Sequence, residues 1–350
     1  MHSTISIIGL IIPVFVSGVF SILLTPIVMA VAHRKKWFDD ANDPRKIHNG
    51  TIPRLGGIAI FLAFLASLGT AAVAGTLPME GRSIALLAGA AVIFGIGLVD
   101  DFRNLRARFK FGVQLLAAVG VAAAGYRFEY LPLPGGLLAL GAFSWVLTIV
   151  WIVGISNGIN MIDGMDGLAG GISLIATASM GILCLALGET IPSIIAFGLA
   201  AAIVGFLFYN LPPARIFMGD SGSLFLGFCL AVLPLLYGEA HPRELSVLAA
   251  GTILGVPIFD VFAAILRRRR RGQAVMEPDR EHLHHKLLWF GLDTRHILAI
   301  VYTTSLGLGV AAIAAAGFSD VGSLFILLLA LAVLTMLFLV LHFLKQGRAG

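Results

Sequence analysis

The chain has 350 residues, of which 58% are hydrophobic and only 12% are charged, with a mean hydropathy of +0.96. One soluble core cannot bury that much apolar surface, so the composition excludes a water-soluble globular protein and predicts an integral membrane protein. The formal net charge of +5 is explained by basic residues that set the membrane topology and attract anionic lipid heads. We therefore expect membrane lipids, and no nucleic acid, as partners.

Eleven segments are apolar enough to be spanning helices, which need about 20 residues each. They cover residues 5–32, 56–76, 83–99, 110–126, 138–156, 167–187, 191–209, 221–238, 245–266, 296–316 and 321–344. The first segment is too long for a signal-peptide core and should stay as an anchor. Cys184 and Cys229 lie inside apolar segments and are assigned no chemistry. We predict one all-α membrane domain over residues 1–350.

The basic residues orient this domain, because Lys and Arg are retained in the cytosol. With an odd number of spans, 21 of the 24 Lys and Arg residues fall on one side, in or next to loops 33–55, 100–111, 157–167, 210–221 and 267–295 and in the C-terminal tail. This side is predicted to be cytosolic, which places the N-terminus outside and the C-terminus in the cytosol. Six carboxylates lie at the cytosolic ends of spans or near them: Asp100, Asp101, Asp163, Asp166, Asp220 and Asp260. If they converge, they need a cation between them, and that points to a divalent metal.

The cytosolic motifs follow one another along the chain. After the first span, "DPRKIHNGTIPRLGG" supplies the cations Lys46 and His48. At the end of the third span, "GLVDDFRNL" supplies Asp100 and Asp101, and adjacent carboxylates beside a cation can act as a ligand and a general base. After the fifth span, "NGINMIDGMDG" contains Asn157, Asn160, Asp163 and Asp166, each three residues from the next. Gly164 and Gly167 predict a break in the helix there, so these polar side chains should line an irregular turn.

Two further motifs complete the series. In "ARIFMGDSGSLFLG", Asp220 and two serines stand at the start of a helix, where backbone N–H groups can face an anionic ligand, although helix capping alone explains the serines. Phe217 could stack on a base or lie at the membrane interface. In "PDREHLHHKL", His282, His284 and His285 accompany Arg280. Imidazoles beside Arg and Lys suit phosphate oxygens better than zinc, which usually needs another partner and defined spacing.

Taken together, these motifs resemble those of the polyprenyl-phosphate N-acetylhexosamine-1-phosphate transferases, with the phospho-MurNAc-pentapeptide translocase as a relative. Such enzymes start bacterial O-antigen, enterobacterial common antigen and teichoic acid synthesis. The resemblance covers residues 43–285, with five motifs in order, and "HLHH" is similar to the N-acetylglucosamine branch. One departure is "GQAVMEPD", where an SPF-like sequence is expected.

The resemblance implies a reaction and a set of roles. N-acetylhexosamine-1-phosphate, in this branch GlcNAc-1-phosphate, would pass from a UDP-sugar to undecaprenyl phosphate with Mg²⁺ or, as a substitute, Mn²⁺, releasing UMP at the cytosolic face of a bacterial inner membrane. It implies Asp220 as the metal ligand with Asn160 nearby, Asp166 and Phe217 as the uracil pocket, and Arg280 with the three histidines as the phosphate clamp. Asp100 is our preferred base or lipid-phosphate partner, with Asp101 and Asp163 as further catalytic candidates and Asn157, Lys46 and His48 as substrate-binding residues.

Several alternatives remain open at the level of sequence. The peptide-bearing translocase activity or another UDP-hexosamine specificity would use the same motifs, and both a direct transfer and a covalent aspartyl route fit them. A cation-coupled transporter would also explain carboxylates in a membrane protein, but such sites usually lie near the bilayer midplane between repeats. A homodimer is compatible with the sequence.

Overall fold

The computed structural model describes residues 7–38, 52–78, 81–236, 241–242, 246–272 and 282–347. Within these ranges the chain forms thirteen α-helices and one two-stranded sheet. Helices α1 to α13 are Ile7–Lys35, Gly56–Val73, Gly81–Arg103, Ala107–Ala123, Phe143–Ile162, Leu168–Ala186, Thr190–Asn210, Gly219–Val232, Val247–Ile253, Gly255–Arg270, Leu283–Trp289, Thr294–Ala315 and Asp320–Gly347. A short 3-10 turn, Leu233–Leu235, extends α8.

In the described part of the chain, eight of these helices are long and apolar enough to cross a membrane: α1, α2, α3, α5, α6, α7, α12 and α13. The pair α9 and α10 adds a ninth span if it is taken as one broken helix. The other two predicted spans correspond to α4, which has 17 residues, and to α8 with its 3-10 turn. The protein is therefore a multi-spanning membrane protein, while the count of eleven and the orientation of the termini stay predictions.

Two local features differ from the sequence-based prediction. Strands β1 (Tyr130–Leu133) and β2 (Gly136–Ala139) form an antiparallel hairpin, so the all-α prediction is wrong for this loop. Gly135 makes its turn with a φ of 87°, a conformation that glycine adopts without strain. The predicted span 245–266 is bent by 87° between α9 and α10. Pro257 lies in the first turn of α10, where its missing N–H is tolerated, whereas it would break a continuous helix.

Helix α8 lies at the centre of the bundle and packs against α2, α3 and α5. All its residues except Asp220 are buried. Close contact with α3 depends on Gly97, because a Cβ there would lie 2.5 Å from the Asp220 carbonyl oxygen. Any larger residue at position 97 would separate the two helices. This contact brings the C-terminal end of α3, with its paired carboxylates, beside the N-terminal end of α8.

Candidate active site

The paired carboxylates at the end of α3 make different contacts. Asp101 accepts hydrogen bonds from the backbone N–H groups of Asp220 (2.7 Å) and Ser221 (3.1 Å). These groups belong to the first turn of α8, where helix N–H groups lack partners within the helix. Asp101 therefore caps α8 from a neighbouring helix, which holds Asp220 in place. Its predicted catalytic role stays a prediction.

Asp100 faces a cation that the sequence analysis did not assign to the site. The Lys110 ammonium of α4 donates to Asp100 Oδ2 and to Asp220 Oδ2, each at 2.7 Å. The other oxygen of Asp100 accepts from the Leu105 backbone N–H at 2.6 Å. Three helices thus bring two carboxylates to one positive charge. A signal for Lys110 was present in the sequence, because Lys110 and Gln114 are four residues apart and so share one face of a helix whose other residues after Arg108 are apolar.

The two asparagines of the fifth-span motif lie within α5, before the helix ends at Ile162. The Asn160 amide donates to Ser223 Oγ at 2.8 Å and lies near the Asp220 carboxylate. Asn157, one turn earlier, donates to Gln114 Oε1 of α4 and to its own helix. The structure therefore places Asn160 near Asp220, whereas Asn157 links α5 to α4 through Gln114.

Asp163 follows the last residue of α5, where the predicted break occurs. Burial and then the negative charge of Asp220 raise the pKa of its carboxyl to about 7, against the opposing effect of the Arg54 guanidinium. Asp163 therefore lies within electrostatic reach of both Asp220 and Arg54. We name Asp100, Asp101, Asp163 and Asp220 the carboxylate cluster.

The predicted uracil-pocket residues lie on two loops, Asp166 between α5 and α6 and Phe217 between α7 and α8. Asp166 is buried and accepts from the Ala214 backbone N–H at 2.9 Å, so it fastens the α7–α8 loop to the α5–α6 loop. Phe217 is half-buried, and its backbone pairs with Pro53, just before α2, and with Gly56, the first residue of α2. The structure thus joins both loops next to Asp220, and the nucleotide contacts themselves stay a prediction.

The three histidines, here named the histidine cluster, stand at the start of α11. His282 Nδ1 lies 2.8 Å from Asp260 Oδ2, and the rings of His284 and His285 are 4.2 Å apart. Burial, followed by the nearby His285, lowers the pKa of His284 to about 3, so its ring is neutral at physiological pH. Within the described part of the chain, His284 Nε2 has no hydrogen-bond partner, and a Cβ at Gly164 would lie 2.9 Å from it. The histidine cluster therefore meets the α5–α6 loop one residue after Asp163.

Three predicted substrate-binding residues, Lys46, His48 and Arg280, lie outside the described residues. Among the residues that are described, no three His, Cys, Asp or Glu side chains are placed to hold a metal ion together. The donors around Asp220 nevertheless fit magnesium, which prefers oxygen ligands, takes one or two carboxylates and keeps waters or substrate phosphates. Asp220 and Asn160 offer such oxygens, and Lys110 shows that this position favours positive charge.

Comparison with known proteins finds a family model and several relatives that match this chain. Residues 83–238 match the model of glycosyl transferase family 4. The chain is 37% identical over 297 residues to the probable undecaprenyl-phosphate N-acetylglucosaminyl 1-phosphate transferase of Bacillus subtilis (strain 168), covering 84% of this chain and 82% of that protein. It is also 37% identical over 300 residues to the decaprenyl-phosphate N-acetylglucosaminephosphotransferase of Mycobacterium tuberculosis (strain CDC 1551 / Oshkosh), covering 78% of this chain and 73% of the relative.

A third relative is the undecaprenyl-phosphate alpha-N-acetylglucosaminyl 1-phosphate transferase of Escherichia coli (strain K12). It is 32% identical over 268 residues, which cover 73% of this chain and 71% of that protein. The matched family region, residues 83–238, contains the whole carboxylate cluster but ends before the histidine cluster.

Proposed function

Because the chain belongs to glycosyl transferase family 4, among the polyprenyl-phosphate N-acetylglucosamine-1-phosphate transferases, we infer that it transfers GlcNAc-1-phosphate to a polyprenyl phosphate. We further propose that the donor is UDP-GlcNAc, that the acceptor is undecaprenyl phosphate, and that the site faces the cytosol of a bacterial inner membrane. The observation that carries the proposal is the convergence of Asp100 and Asp220 on Lys110 at one end of the bundle. A soluble nucleotide and a lipid headgroup can meet only at such a surface.

In the proposed reaction, an oxygen of the polyprenyl phosphate forms a bond to the β-phosphorus of the donor. The bond from that phosphorus to the oxygen bridging the two phosphates breaks, and UMP leaves with that oxygen. Magnesium, when bound, would neutralise charge on the diphosphate, with Asp220 and Asn160 holding it. Both substrates are anions, so their approach to four carboxylates requires such cations.

The chain's own residues supply the positioning. Asp101 fixes the start of α8, and with it Asp220, through two backbone N–H groups. Lys110 presents an ammonium beside Asp100, where the acceptor phosphate would bind and Asp100 would accept any proton that it carries. The histidine cluster meets the loop next to Asp163, and we assign it to the donor phosphates. Neutral imidazoles can donate one hydrogen bond each to phosphate oxygens.

The decisive test is turnover by the purified protein with undecaprenyl phosphate, Mg²⁺ and a panel of UDP-sugars. We expect UMP release with UDP-GlcNAc, and formation of an undecaprenyl diphosphate sugar in equal amount. No UMP from any donor would overturn the proposal, whereas UMP with another donor only would reassign the sugar. Exchange of labelled UMP into UDP-GlcNAc without acceptor would favour the covalent aspartyl route over direct transfer.

The proposed orientation has its own test. A single cysteine replacing Asn104, after α3, should react with a membrane-impermeant thiol reagent only from the cytosolic side, and one replacing Glu129 only from the outside. Both experiments need Cys184 and Cys229 replaced by alanine or serine. Labelling of position 104 from outside would reverse the orientation and the side on which the donor binds.

A transporter would need its ionisable groups between repeats near the middle of the bilayer. Here the carboxylates lie at helix ends and at loops, beside the backbone N–H groups of α8. Membership of a transferase family further favours the enzyme. Proton or sodium flux in proteoliposomes without a nucleotide sugar is the result that would favour transport.

A further inference from the structure

One buried carboxylate contacts the histidine cluster without belonging to the carboxylate cluster. Asp260 lies on α10, six residues after the break from α9, and is only 2% exposed. Its Oδ2 lies 2.8 Å from His282 Nδ1, and its Oδ1 accepts from the Leu283 backbone N–H, also at 2.8 Å. Both oxygens of this carboxylate are therefore directed at the first residues of α11.

The two contacts fix different properties of the motif. A carboxylate only accepts hydrogen bonds, so the His282 ring carries a proton on Nδ1, and Nε2 is the nitrogen left for another partner. The Leu283 N–H is one of the N-terminal groups of α11 that lack a partner within the helix. Asp260 thus sets the ring orientation of His282 and also the place where α11 begins, and with it the positions of His284 and His285.

We propose that Asp260 is a positioning residue of the transferase, which acts through His282 to aim the Nε2 edge of that ring at the phosphates of the sugar nucleotide. The inference rests on the proposed function and assigns a role to a residue outside the carboxylate cluster. His282 is 6% exposed and its ring is parallel to that of His284, with the ring centroids 6.0 Å apart. A wrong tautomer or a tilted ring at His282 would therefore disturb its neighbour as well.

A purely structural role is the competing explanation, because loss of a buried carboxylate can destabilise any fold. The two explanations differ in three measurable ways. Replacing a purely structural residue should lower kcat/KM for both substrates alike, and this loss should add to the loss caused by a His282 variant. A structural residue also makes no demand on the His282 tautomer. Replacing a residue that acts through His282 should lower kcat/KM for the donor selectively. The same replacement should have little further effect in a protein whose His282 has already been replaced.

The test is a double-mutant cycle with Asp260→Asn, His282→Gln and the double variant, in the full-length protein purified in detergent. We expect Asp260→Asn to lower kcat/KM for UDP-GlcNAc by about 10- to 100-fold, by analogy with residues that orient metal-binding histidines. The KM for undecaprenyl phosphate should stay within about twofold, and the double variant should be no worse than His282→Gln. Additive losses, or equal losses for both substrates, would overturn the proposal.

The chain offers a matched control in Asp293. Its carboxylate accepts from the backbone N–H of His296 and also contacts Nδ1 of the same histidine. Unlike Asp260 and His282, this pair is exposed at the surface. Asp293→Asn removes the same chemical arrangement and should leave both kinetic constants within about twofold of wild type. A loss of donor binding in this variant as large as in Asp260→Asn would show that the effect is not specific to Asp260.

A second measurement keeps the proposal testable if Asp260→Asn does not fold. Nitrogen NMR of ring-labelled histidine in the wild-type protein should show His282 protonated at Nδ1, with the signal assigned by its absence in His282→Gln. Protonation at Nε2 alone would overturn the proposal. If the wild type releases no UMP, the proposed function fails while this tautomer can still be measured, so the two failures can be told apart.

Discussion

The carboxylate cluster and the histidine cluster meet at the α5–α6 loop, yet their electrostatic designs are opposite. In the first, Asp100 and Asp220 share the single ammonium of Lys110, while Asp101 is satisfied by backbone N–H groups. In the second, three imidazoles lie together and one of them, that of His282, contacts the buried carboxylate of Asp260. The first region is suited to positive charge, whereas the second presents imidazoles that can donate to an anion.

This difference would let one small surface hold the proposed sugar nucleotide. Four nearby carboxylates would repel a diphosphate, so the proposed metal would have to bring the two together. The histidine cluster needs no metal, because a neutral or charged imidazole can donate directly to a phosphate oxygen. The two regions should therefore respond differently to metal concentration. The predictions below test that expectation.

The largest effect should come from Asp220→Asn, which keeps the side-chain shape but removes the charge. Turnover at ordinary Mg²⁺ should fall to the detection limit, with partial recovery at high Mg²⁺ or with Mn²⁺, because the site loses its principal carboxylate ligand. The measurement is UMP release over a metal titration. A wild-type metal dependence in this variant, together with a shifted one in Asp163→Asn or Asp100→Asn, would place the metal on another loop.

Asp100→Asn should reduce turnover by about 10² to 10⁴, the usual cost of removing a general base. The asparagine still has an oxygen to accept from the Leu105 N–H, so the end of α3 should keep its shape. The KM for UDP-GlcNAc should change little, because the acceptor and not the nucleotide is assigned to this residue. Near wild-type turnover would move the role to Asp101 or Asp163.

Replacing Lys110 by methionine should change metal dependence in the opposite direction to Asp220→Asn. Without the ammonium, Asp100 and Asp220 face each other with their charges unbalanced, so a cation should bind more tightly. We expect half-maximal activity at a lower Mg²⁺ concentration, with turnover reduced about tenfold or more through loss of the cation beside the acceptor phosphate. An increase in the Mg²⁺ requirement would show that Lys110 supports the metal site instead of competing with it.

In the histidine cluster, His284→Ala should raise the KM for UDP-GlcNAc by roughly tenfold, the cost of about one lost hydrogen bond, and leave the Mg²⁺ requirement unchanged. Because the pKa of His284 is about 3, its ring stays neutral, and the ratio of mutant to wild-type KM should be the same at pH 6 and pH 8. A ratio that grows as the pH falls would indicate a charged imidazole. Tight zinc that is lost in this variant would favour a metal role for the histidines.

The smallest expected effect concerns stability at Asp163, between the two clusters. Its folded-state pKa of about 7 lies above the ordinary value of 3.8, so the folded protein retains a proton that the unfolded chain releases. That stability is fully present below about pH 4 and is lost as the pH rises through 7. From pH 5 to pH 8 without metal, the Tm of wild type should therefore fall more than that of Asp163→Asn, by roughly a few degrees. Parallel Tm curves would contradict the raised pKa.

The sequence alone indicated the membrane class, most of the helices and the helix break near Gly164, because hydropathy and glycine act locally. The motifs also predicted polar residues at one end of the bundle, because ionisable groups in a membrane protein are rare unless they pair or bind a ligand. Hydropathy could not reveal the β-hairpin of Tyr130–Leu133 and Gly136–Ala139, because two apolar segments of four residues are too short to show a helical or strand period. Nor could it reveal the bend before Pro257, because both halves of the broken span are apolar.

Only the tertiary structure decided which polar groups pair. Asp100 and Asp101 are adjacent in sequence, yet one shares Lys110 with Asp220 while the other caps α8. Asp260 looked like a further acid of the same group, but it contacts His282 on α11. Such partners lie 10 to 120 residues apart and on different helices. Local patterns fix which face of a helix is polar, whereas the packing of helices, through close contacts such as that at Gly97, determines what that face meets.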